Sequence, residues 1–127
     1  MQQISPQEME IMKIVWHAFD EKLTARDIEE RLAAIDGKRR NLSSLMTVLA
    51  RLIDKGFLDP IKKYRKSTYF EALVQENEYK AYATRQFMDI IHDGELTSFA
   101  SAILSGSQYT QQSIDEMLDM IDKERQK

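Results

Sequence analysis

The sequence predicts a mainly α-helical chain interrupted once by a small β-hairpin. Three observations predict it. Glycine and proline are scarce, four and two among 127 residues, so few positions force a break in a helix. Apolar residues recur at helical spacing along most of the chain. Only between Phe57 and Glu71 does the period shorten toward that of a strand.

The elements follow in order. Pro6 suits the first turn of a helix and Ser5 its N-cap. Met12, Val15, Trp16 and Phe19 then recur at i, i+3, i+4 and i+7, so the spacing predicts an amphipathic helix over 6–19 with these four on one face. Thr24 caps a second, short helix in which Ala25, Ile28 and Leu32 share a face, and Gly37 with Lys38-Arg39-Arg40 breaks the pattern. A third helix runs from about Asn41 to Lys55, with Gly56 as its C′ residue. Two short runs, Phe57–Lys62 and Lys66–Glu71, flank the basic tip Lys63-Tyr64-Arg65 and form the hairpin; Pro60 confines the first run to an edge or a short length. Tyr79, Tyr82, Ala83, Phe87, Ile90 and Ile91 mark a fourth helix closed by Gly94. Leu96, Phe99, Ala100, Ile103 and Leu104 mark a fifth, and Thr110 caps a sixth carrying Ile114, Met117, Leu118 and Ile121.

Composition narrows the function classes. Without cysteine there is no disulfide, no Cys-based zinc site, no iron–sulfur cluster and no thiol nucleophile. No stretch reaches the roughly 18–20 apolar residues of a membrane span, and Met-Gln-Gln-Ile-Ser-Pro has neither the basic nor the apolar region of a secretory signal. A cytoplasmic chain without a membrane partner is expected. His17 and His92, the two histidines, each adjoin a single nearby carboxylate, short of a closed metal site. No phosphate loop or nucleophile elbow occurs. The chain is expected to be no enzyme and to carry no metal or cofactor.

The net charge of −3 hides an asymmetry. Residues 1–72 hold 13 Lys and Arg against 11 Asp and Glu, whereas 73–127 hold 5 against 10. Between 38 and 66, nine cations face only Asp54 and Asp59. A local basic patch matters more to a polyanion than the total, because screening cuts the field within about 8–10 Å. On the third helix, Leu45, Val48, Leu49 and Leu52 occupy one side; Arg40, Ser43, Ser44, Thr47 and Arg51 fall on the other, within about a 100° arc. Short hydroxyls approach base edges or phosphates closely, and guanidiniums fork onto guanine or phosphate. A helix preceded by another helix and followed by a basic hairpin is the winged helix-turn-helix arrangement, which places the helix in the major groove of DNA and the hairpin on the backbone beside it. The expected division is therefore 1–72, a winged helix-turn-helix domain binding double-stranded DNA through Arg40, Ser43, Ser44, Thr47, Arg51, Lys62, Lys63 and Arg65, and 73–127, a helical dimerisation domain. Three helices have too little core to stand alone, which argues for burial across a two-fold axis. Tyr82, Phe87, Ile91, Phe99, Ile103, Leu104, Met117, Leu118 and Ile121 are its candidate interface. A winged helix that serves protein interaction without touching DNA is the alternative.

Ile4-Ser5 with Glu8–Trp16, and Thr47–Leu58, resemble the opening and the recognition helix with first strand of the BlaI/MecI/CopY family, the penicillinase repressors and their copper-responsive relatives. Lys62, Arg65 and Tyr69 fall in register with its wing, and Gly94–Ser98 and the helix capped by Thr110 with its second domain. The resemblance covers nearly the whole chain. It implies a homodimeric transcriptional repressor on a palindromic operator, with Thr47 and Arg51 on the helix and Lys62 and Arg65 on the wing as DNA contacts. Ser44 stands where the family has threonine, Ser43 where it has lysine, Met9 for the first-helix tryptophan and Tyr64 for the wing-tip glycine. Ala102-Ile103 replaces the Asn–Phe bond cut in β-lactam-responsive members, and the Cys-x-Cys motifs of copper-responsive members are missing. The inducing signal, with any upstream sensor or protease, is left open.

Overall fold

The computed structural model describes residues 1–62, 67–106 and 108–127. Its elements are α1 (Pro6–His17), β1 (Leu23–Thr24), α2 (Ala25–Asp36), α3 (Leu42–Asp54), β2 (Leu58–Lys62), β3 (Thr68–Ala72), α4 (Glu76–His92), α5 (Leu96–Ser105) and α6 (Gln111–Arg125). The mainly helical chain with one hairpin is thus present, and the elements α1 to β3 follow the order of a winged helix-turn-helix.

Local chemistry sets the helix starts. Ser5 Oγ accepts the Glu8 N–H at 3.1 Å while a Glu8 carboxylate oxygen accepts the Ser5 N–H at 2.8 Å, a reciprocal capping box behind Pro6. Thr24 and Asp27 repeat the arrangement at α2, Asn41 caps α3, and Thr110 caps α6. At the end of α3, Gly56 takes φ +83° so that its own N–H reaches Ile53 O and the Phe57 N–H reaches Leu52 O, turning the chain directly into β2.

The strands form an antiparallel sheet in the order β1-β3-β2, with Leu58 opposite Ala72 and Lys62 opposite Thr68. Pro60 therefore lies on an edge strand, where its missing N–H costs no ladder bond. The sheet departs from the expected two-stranded hairpin. The segment ahead of α2 adds β1, pairing Leu23 with Phe70 and Thr24 with Tyr69; two residues are too few to leave a period in the sequence.

Contacts divide the chain into two compact units, 1–83 and 84–127, parting inside α4. The change in composition after Ala72 and this parting are different boundaries, because Tyr79 is built into the first unit. Its ring meets Phe57 edge-on at 5.4 Å and its Oη accepts the Ile4 N–H at 2.9 Å. Around it the first unit closes a core from α1 (Ile11, Met12, Val15), α2 (Ile28, Leu32), α3 (Leu45, Val48, Leu49, Leu52) and the sheet (Leu58, Phe70). The Trp16 indole donates to Val74 O at 2.8 Å and fixes the start of α4 against α1.

One member of the expected α1 stripe is not on the buried face. The helix stops at His17, and Phe19 takes φ +56° in the following turn, leaving its ring 87% exposed. The helical spacing that joined Phe19 to Trp16 does not extend past the last helical residue.

In the second unit, Phe87, His92 and Phe99 meet edge-on at 5.3, 5.6 and 6.3 Å. His92 Nδ1 lies 2.8 Å from Ser98 Oγ, and His92 is the unit's one buried residue among those described. No helix among the described residues is long and apolar enough to cross a membrane.

Candidate nucleic-acid interface

The face opposite the buried leucines of α3 is open. Ser43, Ser44, Thr47 and Arg51 are all exposed, and Met46 and Ala50 lie exposed between them. Thr47 Oγ1 donates to Ser43 O at 3.1 Å, one turn back, which orients the hydroxyl and leaves its oxygen free to accept. The hairpin of β2 and β3 follows immediately and brings Lys62, exposed, to the end of β2. Lys63 and Arg65 lie outside the described residues.

Arg40 does not share the helical arc. It precedes the cap Asn41, so the 100° spacing does not apply to it. Its guanidinium instead folds back onto the Asp36 carboxylate, with Glu10 at 3.8 Å, and the Arg40 backbone N–H donates to a Glu29 oxygen at 3.1 Å. The Arg40 hydrogen bond and the Lys38 backbone N–H hold the Asp36 carboxyl below its ordinary pKa, and the same pairing raises that of Arg40.

Sequence counting within 38–66 also missed the carboxylates that reach in from outside. Glu29, buried on α2, pairs with Arg39 at 2.8 Å. Glu8, 1% exposed at the start of α1, accepts Lys55 Nζ at 2.7 Å and faces Arg51 Nε at 3.7 Å, while Arg51 Nη2 reaches Gln7 Oε1 at 3.4 Å. Burial raises the Glu8 pKa, but the hydrogen bonds from Lys55 and the Ser5 N–H outweigh it and hold the carboxyl below its usual range. The spacing Ser5-Pro6-Gln7-Glu8 carries the capping-box signal for Glu8; nothing local announces Lys55 as its partner, 47 positions away. Among the described residues, Lys38 and Lys62 are the cations of this segment without an ion pair.

The candidate interface residues of the second unit are largely open as well. Phe87, Ile91, Leu104, Met117, Leu118 and Ile121 are exposed, and Phe99 and Ile103 half-buried. Tyr82 instead packs against the core of the first unit, 6.2 Å from Tyr79. Ala102 and Ile103 lie within α5, in helical conformation. No group of three or more metal-ligating side chains that could hold an ion occurs among the described residues.

A helix with an open polar face, packed behind a second helix and followed by a two-stranded wing, defines a winged helix-turn-helix protein of the regulator class. A profile of the penicillinase repressors matches residues 4–123, and the chain belongs to the penicillinase repressor family. It is similar to the methicillin resistance regulatory protein MecI of Staphylococcus aureus, 26% identical over 95% of this chain and 94% of that protein. It is also similar to the penicillinase repressor of Bacillus licheniformis, 24% identical over 97% and 92%. Among solved structures, RosR of H. salinarum shares the fold, with a TM-score of 0.54 at 11% identity, covering 99% of this chain and 98% of that one.

Proposed function

We propose that this chain is a homodimeric transcriptional repressor that binds a palindromic operator in double-stranded DNA, each protomer laying α3 in the major groove and its wing along the backbone. The observation that carries the reading is the exposed arc Ser43, Ser44, Thr47 and Arg51 directly opposite the buried Leu45, Val48, Leu49 and Leu52. With its leucine side committed to the core, α3 has this polar side left to present to a partner. Family membership and relatives named as a penicillinase repressor and a methicillin resistance regulator support it. In this reading Ser43, Ser44 and Thr47 discriminate bases, Arg51 sets register, and Arg40, Lys62, Lys63 and Arg65 meet phosphates. The exposed apolar residues of α4 to α6 join two copies, whose two-fold symmetry the operator repeats.

The rival is a winged helix that binds protein alone, favoured by the carboxylates already paired with Arg39, Arg40, Arg51 and Lys55. Selection of bound duplexes from a random pool, followed by gel-shift titration of a selected and a scrambled duplex, separates the two. Thr47→Ala is expected to weaken the selected duplex about tenfold and the scrambled one little, whereas Lys62→Ala weakens both alike. Equal loss on both duplexes for Thr47→Ala removes its base-reading role. Failure to retain any duplex at low salt removes the repressor reading.

A further inference from the structure

A cleft of about 630 Å³ opens between the end of α1, the turn into β1 and strand β3, within the size range of small-molecule sites. Three aromatic rings line it. Phe70 of β3 is buried, Trp16 has its indole pinned to Val74 O, and Phe19 sits in a left-handed turn with its ring left in water. Its charges are three carboxylates, Asp20, Glu21 and Glu71, against Lys22. Arg31 answers Glu21, while Asp20 and Glu71 have no ion pair among the described residues. Aromatic rings beside uncompensated carboxylates are the surroundings that attract an organic ammonium or phosphonium ion and repel an anion.

We propose that this cleft binds a small amphipathic organic cation, its apolar body among Trp16, Phe19 and Phe70 and its charge toward Asp20 and Glu71. None of the proposed base-reading residues on α3 lines the site. It lies at the Ala72 end of the hairpin, while Lys62 and Thr68 pair at the end nearer the wing tip. An occupant therefore touches β3 at the end of the hairpin away from Lys62.

The test needs no DNA, so it stands or falls apart from the repressor reading. Trp16 is the chain's single tryptophan, and its emission reports this cleft rather than the apolar helices of the second unit. The full chain is titrated with tetraphenylphosphonium and, in parallel, with tetraphenylborate, an anion of the same shape. A saturable change of emission with the cation and none with the anion is expected. The double variant Asp20→Asn/Glu71→Gln, both exposed positions, is expected to weaken the cation about tenfold while keeping the wild-type melting curve. Phe19→Ala, which removes an exposed ring, is expected to weaken it as well. A non-saturating response, an equal response to the borate, or an unchanged midpoint in the double variant would overturn the proposal.

Discussion

The two units of the chain solve the problem of apolar burial in opposite ways. Among the described residues, 1–83 gather sixteen buried hydrophobic side chains, most of them from three helices, the sheet and the start of α4. Residues 84–127 carry comparable apolar stripes, yet among the described residues they bury only His92, and Ile90, Ile91, Leu104, Leu118 and Met120 are half exposed or more. Sequence periodicity is the same in both, so periodicity reports that a helix has an apolar face and not what covers it. The first unit satisfies its faces within one chain. The second leaves them for another surface, which is the physical ground for proposing a homodimer.

Three experiments bear on this contrast. The largest effect is expected in the first unit. Leu52 is fully buried at the centre of the α3 face, and Leu52→Ala should cost about 2–5 kcal/mol in chemical denaturation; a cost below 1 kcal/mol would mean that the core closes less tightly than its burial indicates. In the second unit, Met117→Glu/Ile121→Glu should raise the dimer dissociation constant by about 100-fold in sedimentation, roughly 2.7 kcal/mol, while leaving the first unit's denaturation transition in place. A dimer that survives the change would move the interface away from α6.

The smallest effect concerns Glu8. Glu8→Gln should cost about 2 kcal/mol near neutral pH, from the charge-assisted bonds to Lys55 and the Ser5 N–H. The folded-state pKa of Glu8 is lowered from its ordinary 4.5. Its carboxylate therefore adds stability above about pH 4.5 that is lost as the pH falls through the lower folded value. The difference in Tm between wild type and Glu8→Gln should shrink across that window. A difference constant down to pH 3 would show that Glu8 acts by packing rather than by charge.

Much of the fold was legible in the sequence because its determinants are local. The caps Ser5, Thr24 and Thr110, the leucine face of α3, Gly56 beyond its end and Pro60 at a sheet edge each act within a few residues of themselves. What escaped was set at a distance or by termination. β1 is two residues long and exists because β3 offers it an edge. Phe19 follows the apolar period but lies beyond the last helical hydrogen bonds of α1. The same limit applies to the candidate site. The hydroxyl arc of α3 is a matter of helical geometry, whereas the pairing of Arg51 and Lys55 with Glu8, and of Arg39 with Glu29, joins positions that only the fold brings together.

Those internal pairs alter the salt dependence to expect of DNA binding. Each phosphate neutralised by a cation lowers the log–log slope of affinity against salt by about 0.9, and nine cations between 38 and 66 would suggest a steep dependence. Four of them, Arg39, Arg40, Arg51 and Lys55, already hold a carboxylate. For any of these four, contact with a phosphate would exchange one anion for another and leave Glu8, Glu29 or Asp36 without its partner. In the proposed repressor the carboxylates would compete with phosphates for these cations. Under the proposed function, the salt slope to expect is therefore shallower than the nine cations alone would suggest.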